Sequence, residues 1–309
     1  MTPIPIADAH CDFLYYMHHA HWSILAPGAR QAVALPYMRQ GGVALQFFAA
    51  WVDVDADIAP RLQAMQLTDD YYHMLEQSEG ALVPLSPTFT PGQGQVATVL
   101  TLEGGEAIDG SLELLRDFYH LGVRAMTLTW NQSNELASPA TRRINRGLTP
   151  LGRRVAREMA RIGMALDVAH LSDAGIDEAL DLGRPLFTSH TNARAVCPHR
   201  RSLCDRHIKA IAGGGGVICV NFYPPQLCAR GESSTADIAR HIAYIADLGG
   251  VEHVALGSDF DGMYDYPADI KNQAQLPNLL LALREAGFAE QEIERIAYDN
   301  LHDYIVQFV

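Results

Sequence analysis

Short apolar runs alternate along the chain with longer segments in which apolar residues recur every three or four positions. Continuous apolar runs are typical of parallel strands covered on both faces, whereas the wider spacing is typical of amphipathic helices. The pattern therefore predicts eight buried strands separated by helices. The predicted strands are Pro5–Ala9, Val43–Trp51, Ala97–Leu102, Arg124–Thr129, Met164–Ala169, Pro185–Ser189, Val217–Asn221 and Val254–Ser258.

Most of the predicted helices carry a start or a stop signal. Thr149 before Pro150 is typical of an N-cap followed by a proline in the first turn. Gly163, Gly183 and Gly249 stand where a helix has to end before the next strand begins. The predicted helices are Pro60–Gln77, Leu112–Leu121, Pro150–Arg161, Asp173–Leu182, Asp205–Ala212, Thr235–Leu248, Leu276–Glu285 and Glu290–Val306.

Eight strands alternating with helices over 309 residues predict an α/β fold, the (β/α)8 barrel of the TIM type. A doubly wound open sheet is the competing arrangement, because periodicity does not separate the two. No linker, low-complexity tract or charge block interrupts the chain. Residues 1–309 are therefore expected to form a single barrel domain.

Ionisable side chains stand where five of the predicted strands end. In a barrel, the carboxyl ends of the strands meet at one mouth, whereas an open sheet would space them about 4.8 Å apart along a line. The convergence of a set of potential metal ligands at one mouth favours the barrel. The residues at these strand ends are His10, Asp12, Glu103, His170, His190, Asp259 and Asp261.

These residue types at these positions point to a metal centre. His10 and Asp12 are two residues apart, so on a strand they would share a face roughly 6.6 Å apart. A carboxylate such as Glu103 at the end of a buried strand is costly unless it is paired or binds a metal. Mixed histidine and carboxylate ligation suits Zn²⁺ and, less selectively, Mn²⁺ or Co²⁺. Taken alone, each residue also fits a structural or solvated role.

The number of candidate ligands favours two ions over one. Five ligands are too many for one tetrahedral zinc ion, but they fit two ions about 3.5–4 Å apart that share a carboxylate. A water held between two such ions needs a neighbouring base. Asp259 is the candidate base because it lies nearer the strand end than Asp261, which would orient it or cap the following segment.

Composition limits the partners and the location. The chain has 23 basic and 36 acidic residues, a formal charge of -13, which argues against nucleic acid or an anionic membrane as a partner. No stretch is long and apolar enough to span a bilayer, and the N-terminus lacks a signal-peptide pattern. Five cysteines without a CxxC pair predict reduced thiols and a soluble, cytoplasmic protein. They are Cys11, Cys197, Cys204, Cys219 and Cys228.

Six motifs occur in order between about residue 5 and Asn300: DAHCD, LEGGEAID, LDVAHLS, SHTNARAVCPHRRSL, VNFY and GSDFDG. This ordered set resembles the membrane (renal) dipeptidase family, peptidase family M19. The resemblance implies a (β/α)8 barrel with two zinc ions that hydrolyses dipeptides, including some with a C-terminal D-residue, and that can form a homodimer. A missing secretory leader and lipid-anchor signal fit a soluble member of the bacterial type.

The resemblance also implies a role for each candidate ligand. His10 and Asp12 would bind one zinc ion, and His170 and His190 would bind the other. Glu103 would bridge the two.

The motifs GSDFDG and HRRSL supply two further roles by resemblance. Asp259 would be the acid/base residue, and Arg201 would bind the substrate carboxylate. The second role makes physical sense, because a guanidinium and a carboxylate can form two parallel hydrogen bonds.

Two positions depart from the animal members of this family. Trp130 stands where those enzymes carry a histidine that stabilises the tetrahedral intermediate, and Asn131 is a candidate replacement donor. Gln226 stands near the place of a substrate-binding tyrosine, for which Tyr223 is the nearest alternative. Both departures bear on substrate preference more than on metal binding.

The sequence thus predicts a binuclear zinc dipeptidase in which a hydroxide between the metals attacks the peptide carbonyl. An alternative keeps the metals but acts on N-acyl amino acids or lactones as an amidohydrolase-type enzyme. Arg201 discriminates against a neutral lactone or ester, because such a substrate requires no carboxylate anchor. A barrel that keeps the site only for structure or metal storage is the non-enzymatic alternative.

Overall fold

The computed structural model describes residues 4–92, 94–143, 145–227 and 231–309. Within these residues nine strands form one parallel sheet. Their bounds are β1 Ile6–Asp8, β2 Val43–Trp51, β3 Leu82–Pro84, β4 Val96–Glu103, β5 Val123–Thr127, β6 Ala165–Asp167, β7 Phe187–Thr191, β8 Val217–Val220 and β9 Val254–Leu256.

Eight of the described strands form a barrel in the order β1-β2-β4-β5-β6-β7-β8-β9, and the short β3 pairs with the start of β4. The first and last strands approach each other where the Ala9 amide donates to the Leu256 carbonyl at 2.9 Å. A parallel bridge between Cys11 and Phe260 continues this contact. The predicted barrel is therefore confirmed, and the open sheet is excluded.

Helices connect successive strands, as the sequence pattern predicts. In α5 the Thr149 hydroxyl accepts a hydrogen bond from the Gly152 amide, Pro150 occupies the first turn, and the helix ends at Gly163 with φ of 80°. The described helices are α1 Phe13–Ala20, α2 Leu35–Gly41, α3 Pro60–Gln77, α4 Leu112–His120, α5 Pro150–Ile162, α6 Asp173–Leu180, α7 Asp205–Gly213, α8 Thr235–Gly249, α9 Leu276–Glu285, α10 Glu290–Glu294 and α11 Asn300–Ile305.

The interior of the barrel is filled by side chains from alternate strand positions, including Phe47 and Val99. At the amino ends of the strands, Tyr304 and Ile305 of α11 pack against this interior, and the Tyr304 ring stacks on Phe187 with centroids 5.5 Å apart. The C-terminal helix thereby covers one end of the barrel. The opposite end, where the strands finish, holds the polar residues described below.

Several strands end earlier than the apolar pattern predicts. The run from Met164 to Ala169 forms a strand only to Asp167, whose Oδ1 accepts hydrogen bonds from the Ala169 and Ser189 amides at 2.9 and 3.0 Å. His170 then takes a left-handed conformation with φ of 65°. The chain leaves the ladder here because a side chain replaces the neighbouring strand as hydrogen-bond acceptor.

The expectation that all the cysteines are reduced is wrong. Cys197 is disulfide-bonded, whereas Cys11, Cys204 and Cys219 are free thiols. Cys228 lies outside the described residues. No CxxC spacing marks a disulfide in this chain, and pairing between distant cysteines cannot be deduced from sequence alone.

Candidate metal centre and active site

The five predicted metal ligands come together at the carboxyl ends of the strands. His10 and Asp12 follow β1, Glu103 is the last residue of β4, His170 follows β6 and His190 lies within β7. All five are buried, with between 1% and 7% of their surface exposed. Ionisable side chains at this depth require partners or a bound ion, because burial removes their hydration.

The Glu103 carboxylate lies at the centre of this cluster. Its Oε1 is 2.9 Å from Nε2 of His170 and 3.5 Å from Nε2 of His190. Its Oε2 lies 3.4 Å from Nε2 of His10. The two oxygens thus face different histidines, which is the arrangement that a carboxylate shared by two cations requires.

The Nδ1 atoms of His170 and His190 form hydrogen bonds with neighbouring polar groups. His170 Nδ1 lies 3.1 Å from Oδ1 of Asn131, and His190 Nδ1 lies 2.8 Å from the Ser189 hydroxyl. The Nε2 atoms of the two rings are 2.9 Å apart. Acceptors at Nδ1 keep the proton on that nitrogen and leave the Nε2 lone pair for a cation. Asn131 Oδ1 therefore orients the His170 ring, and the predicted donor role of Asn131 stays a prediction.

Two further carboxylates approach the centre beside His10. Asp12 Oδ2 lies 3.5 Å and Asp259 Oδ1 lies 3.9 Å from Nε2 of His10. Asp259 Oδ2 accepts a hydrogen bond from Nδ2 of Asn221 at 3.2 Å, which leaves Oδ1 directed to the cluster. Gly262 is required here, because a Cβ at this position would overlap with both carboxylates.

The donor set fits divalent cations. In each of two groups of residues, the ligand atoms all lie within 4.8 Å of one another. One group is His10, Glu103 and His190, and the other is His10, Asp12 and Asp259. In both groups His10 is a member, and its Nε2 is buried without a hydrogen bond to any described residue. His170 belongs to neither group, so the atoms do not reproduce the pairing of ligands that the resemblance implies. Buried carboxylates in excess of buried cations favour a bound metal.

Burial shifts the ionisation of the site in the direction that metal binding and acid/base chemistry need. Burial lowers the pKa of His170 to about 3, assisted by the positive charge of Arg201. It also lowers the pKa of His190 well below its usual range, so that both rings are neutral near neutral pH and could each offer a lone pair to a cation. Burial raises the pKa of Asp259 to about 7, against the opposing influence of His10. A base with a pKa near neutrality is suited to proton transfer.

Arg201, Tyr223 and Gln226 line the same cavity, which has a volume of about 570 Å³. Arg201 Nη2 donates to the His190 carbonyl at 3.4 Å, and its Nε has no hydrogen-bond partner among the described residues. The Tyr223 amide donates to Oδ1 of Asn221 at 2.7 Å, which fixes the start of this loop. Gln226 is fully buried, and neither end of its side-chain amide has a partner in the described part of the chain.

The Asp261 carboxylate makes its hydrogen bonds outside the cluster of candidate ligands. Its Oδ1 accepts from the Ala32 amide at 2.7 Å, and its Oδ2 accepts from the Val33 amide at 3.2 Å. The side chain therefore fixes a neighbouring loop. The second aspartate of the motif thus has a structural function at the mouth, as distinct from Asp259.

Ser189, Asn221, Tyr15 and Trp51 are site residues that were not predicted from the sequence. Ser189 and Asn221 each hold a predicted site residue, and Tyr15 and Trp51 line the cavity. Ser189 and Asn221 lie within two residues of a strand end, and this position in the sequence could have marked them as candidates. No pattern in the sequence marks the aromatic pair, because a tryptophan at the end of an apolar strand is equally typical of the core.

A barrel with a buried histidine and carboxylate cluster at its carboxyl end defines a metal-dependent hydrolase of the amidohydrolase-like type. A family model described as membrane dipeptidase, peptidase family M19, matches residues 1–304. The chain belongs to this family. The enzyme is accordingly a metallo-dipeptidase, a hydrolase that acts on peptide bonds.

Individual relatives agree with this assignment. An uncharacterized dipeptidase of Schizosaccharomyces pombe is 31% identical, with 97% of this chain and 80% of that protein covered. Dipeptidase aclJ of Aspergillus oryzae is 29% identical, with 97% and 77% covered. A metallopeptidase of Rhodobacter sphaeroides, solved with a phosphinate mimic of the dipeptide L-Ala-D-Ala, is 26% identical with a TM-score of 0.90, and 99% of each chain is covered.

The helices among the described residues include none that combines the length and the apolar character needed to cross a membrane.

Proposed function

We propose that the enzyme is a binuclear zinc dipeptidase whose substrates include L-Xaa-D-Xaa dipeptides. The observation that carries this proposal is the Glu103 carboxylate, whose two oxygens face different histidines. The phosphinate mimic of L-Ala-D-Ala bound to the Rhodobacter sphaeroides relative supports the substrate class.

Five side chains would hold the metal ions. His10 and Asp12 would bind one ion, His170 and His190 the other, and Glu103 both. Bound zinc would lower the pKa of a water molecule and polarise the peptide carbonyl. Asn131 Oδ1, 3.1 Å from His170 Nδ1, orients that ring for the purpose.

Asp259 carries the proton in this proposal. Because Asn221 engages one carboxylate oxygen at 3.2 Å, the other oxygen is directed to the cluster and is free to accept a proton from the attacking water. Asp259 then gives that proton to the nitrogen of the leaving amino acid. The raised pKa of Asp259, about 7, makes both the uptake and the return of a proton accessible near neutral pH.

Arg201 would anchor the substrate at its C-terminal carboxylate. The guanidinium lines the cavity beside His190 and retains an unpaired Nε–H within the described part of the chain. Tyr223, whose backbone is fixed by Asn221, would contact the same end of the substrate. A free α-carboxylate is the group that a bidentate guanidinium selects.

The role of Asp259 is tested by the substitution Asp259→Asn. General acid/base groups contribute about 10²–10⁴-fold to rate, so turnover of L-Ala-D-Ala should fall by that range. Zinc content, measured by elemental analysis, should stay at two ions per chain. Full turnover by the variant with two zinc ions bound would refute the assignment.

A substrate panel separates the alternative acyl substrates. An N-acyl amino acid also presents a carboxylate to Arg201, whereas a lactone does not. The proposal requires faster hydrolysis of dipeptides than of N-acyl amino acids or lactones. The opposite order would assign the same site to a deacylase or a lactonase.

We also propose that residues 1–309 form one domain. The cytoplasmic location and the homodimer stay predictions. The disulfide at Cys197 is more typical of an oxidising compartment than of a cytoplasm. Fractionation of cells that express the protein would test the location, and light scattering would test the dimer.

A further inference from the structure

Three aromatic side chains line one side of the active-site cavity in a continuous row. The Tyr15 and Trp51 rings have centroids 4.9 Å apart, and the Trp51 and Trp130 rings are also 4.9 Å apart. All three line the cavity that contains Glu103 and His170. We call Tyr15, Trp51 and Trp130 the aromatic wall.

The aromatic wall is held by rigid elements. Trp51 is the last residue of β2 and is paired in register with Glu103 of β4. Tyr15 lies in the first turn of α1, and Trp130 follows β5, with its ring centroid 6.1 Å from that of His170. The edge-to-face angles of 64° and 65° between neighbouring rings are those that aromatic pairs favour.

The sheet order places Trp51 of the aromatic wall on the strand across the barrel from the strand that precedes Arg201. In the ring β1-β2-β4-β5-β6-β7-β8-β9, strand β7 lies opposite β2. Arg201 follows β7, and Trp51 ends β2. The cluster links the two: Trp51 pairs in register with Glu103, Glu103 Oε1 lies 3.5 Å from Nε2 of His190, and Arg201 Nη2 donates to the His190 carbonyl at 3.4 Å.

This geometry gives a direction to a bound dipeptide, and the argument rests on the proposed function. With the C-terminal carboxylate at Arg201 and the scissile carbonyl at the Glu103 cluster, the N-terminal residue continues to the far side. Adjacent Cα atoms are only 3.8 Å apart, so its side chain leaves close to the scissile bond. It therefore meets the aromatic wall.

We propose that the aromatic wall selects dipeptides with a large apolar or aromatic N-terminal side chain. Apolar area removed from water stabilises the complex, and aromatic rings add favourable edge contacts. Trp130 is the determining residue, because it lines the cavity with its ring centroid only 6.1 Å from that of His170, beside the scissile bond of a bound dipeptide. A small side chain such as alanine leaves this surface uncovered.

A basic side chain is the competing occupant. Indole faces attract cations, and Asp53 lines the same cavity. Asp53 Oδ1, however, already accepts a hydrogen bond from the Asp55 amide at 2.9 Å. Asp53 is also partly exposed, so solvent screens its charge, and the three aromatic rings favour an apolar group.

The test measures kcat/KM for the series L-Xaa-D-Ala, in which Xaa is Ala, Leu, Phe or Lys. The zinc-loaded wild-type enzyme should prefer Phe and Leu over Ala by about 10- to 100-fold, the range of discrimination that apolar pockets reach. In Trp130→Ala this ratio should fall towards one. Trp130→Phe is the matched control, and it should keep most of the ratio because it retains an aromatic face.

Zinc content and far-ultraviolet circular dichroism of the three proteins establish that each is folded and loaded. Absence of hydrolysis throughout the series would contradict the proposed function itself. Hydrolysis with no preference for Phe or Leu would overturn the proposed role of the aromatic wall but not the proposed function. A preference that Trp130→Ala retains would have the same consequence. A preference for Lys would overturn the apolar assignment and identify a cationic side chain.

Discussion

Replacement of Arg201 tests how the site recognises its substrate. The guanidinium lines the active-site cavity, and its one hydrogen bond to the described residues is a long contact of 3.4 Å from Nη2 to the His190 carbonyl. Its Nε–H is buried without an acceptor in the described part of the chain. Most of its donor capacity is therefore available to a ligand, and Arg201→Met removes that capacity while keeping an unbranched, though shorter, side chain.

The magnitude follows from two hydrogen bonds between the guanidinium and the substrate carboxylate. Hydrogen bonds to charged groups contribute about 1.5–3 kcal/mol each, which gives about 3–6 kcal/mol for the pair. Since about 1.4 kcal/mol corresponds to a factor of ten, kcat/KM should fall roughly 10²- to 10⁴-fold. Arg201→Lys keeps the charge but loses the planar fork, so its loss should be smaller.

The assay compares L-Ala-D-Ala with its C-terminal amide for each protein. The wild-type enzyme should prefer the free acid by about the same factor that Arg201→Met loses on the free acid. On the amide, wild type and Arg201→Met should differ little, and zinc content should be equal. If Arg201→Met still discriminates between acid and amide as the wild type does, another group binds the carboxylate and the reasoning is wrong.

Two further substitutions test the hydrogen bonds that position residues around the site. Asn131→Ala removes the acceptor at His170 Nδ1 and should weaken metal binding about 10- to 100-fold, measured by competition with a chelator; unchanged affinity would refute this role. Asp261→Ala leaves the buried amides of Ala32 and Val33 unpaired, which should cost roughly 1–3 kcal/mol each in the free energy of unfolding, measured in urea. Asp261→Asn should lose less because it keeps one acceptor, and equal losses would contradict that account.

The longest elements could be predicted from the sequence because their patterns are long and uninterrupted. Strand β2 and helix α3 have the predicted bounds, Val43–Trp51 and Pro60–Gln77. The three-residue strand β3, Leu82–Pro84, and the seven-residue helix α2, Leu35–Gly41, were missed. Segments this short contain too few positions for a period to show, and contacts with the rest of the barrel determine their conformation.

The cluster could be predicted because the carboxyl ends of parallel strands converge. That rule places His10, Glu103, His170 and His190 together without any knowledge of their contacts. The groups that orient these side chains could not be assigned in the same way. The position of a polar residue such as Asn131 in the sequence does not show whether its side chain orients a histidine or donates a hydrogen bond to the substrate. Its contact with His170 arises only from the tertiary fold.

The relation between metal content and dipeptide hydrolysis tests the central claim most directly. Purified enzyme is stripped with a chelator, and zinc is returned stepwise while hydrolysis of L-Ala-D-Ala and bound zinc are measured together. We expect no hydrolysis by the stripped protein and full hydrolysis at two zinc ions per chain. Full hydrolysis by the stripped protein, or no hydrolysis at two bound zinc ions, would contradict the binuclear zinc dipeptidase proposed from this site.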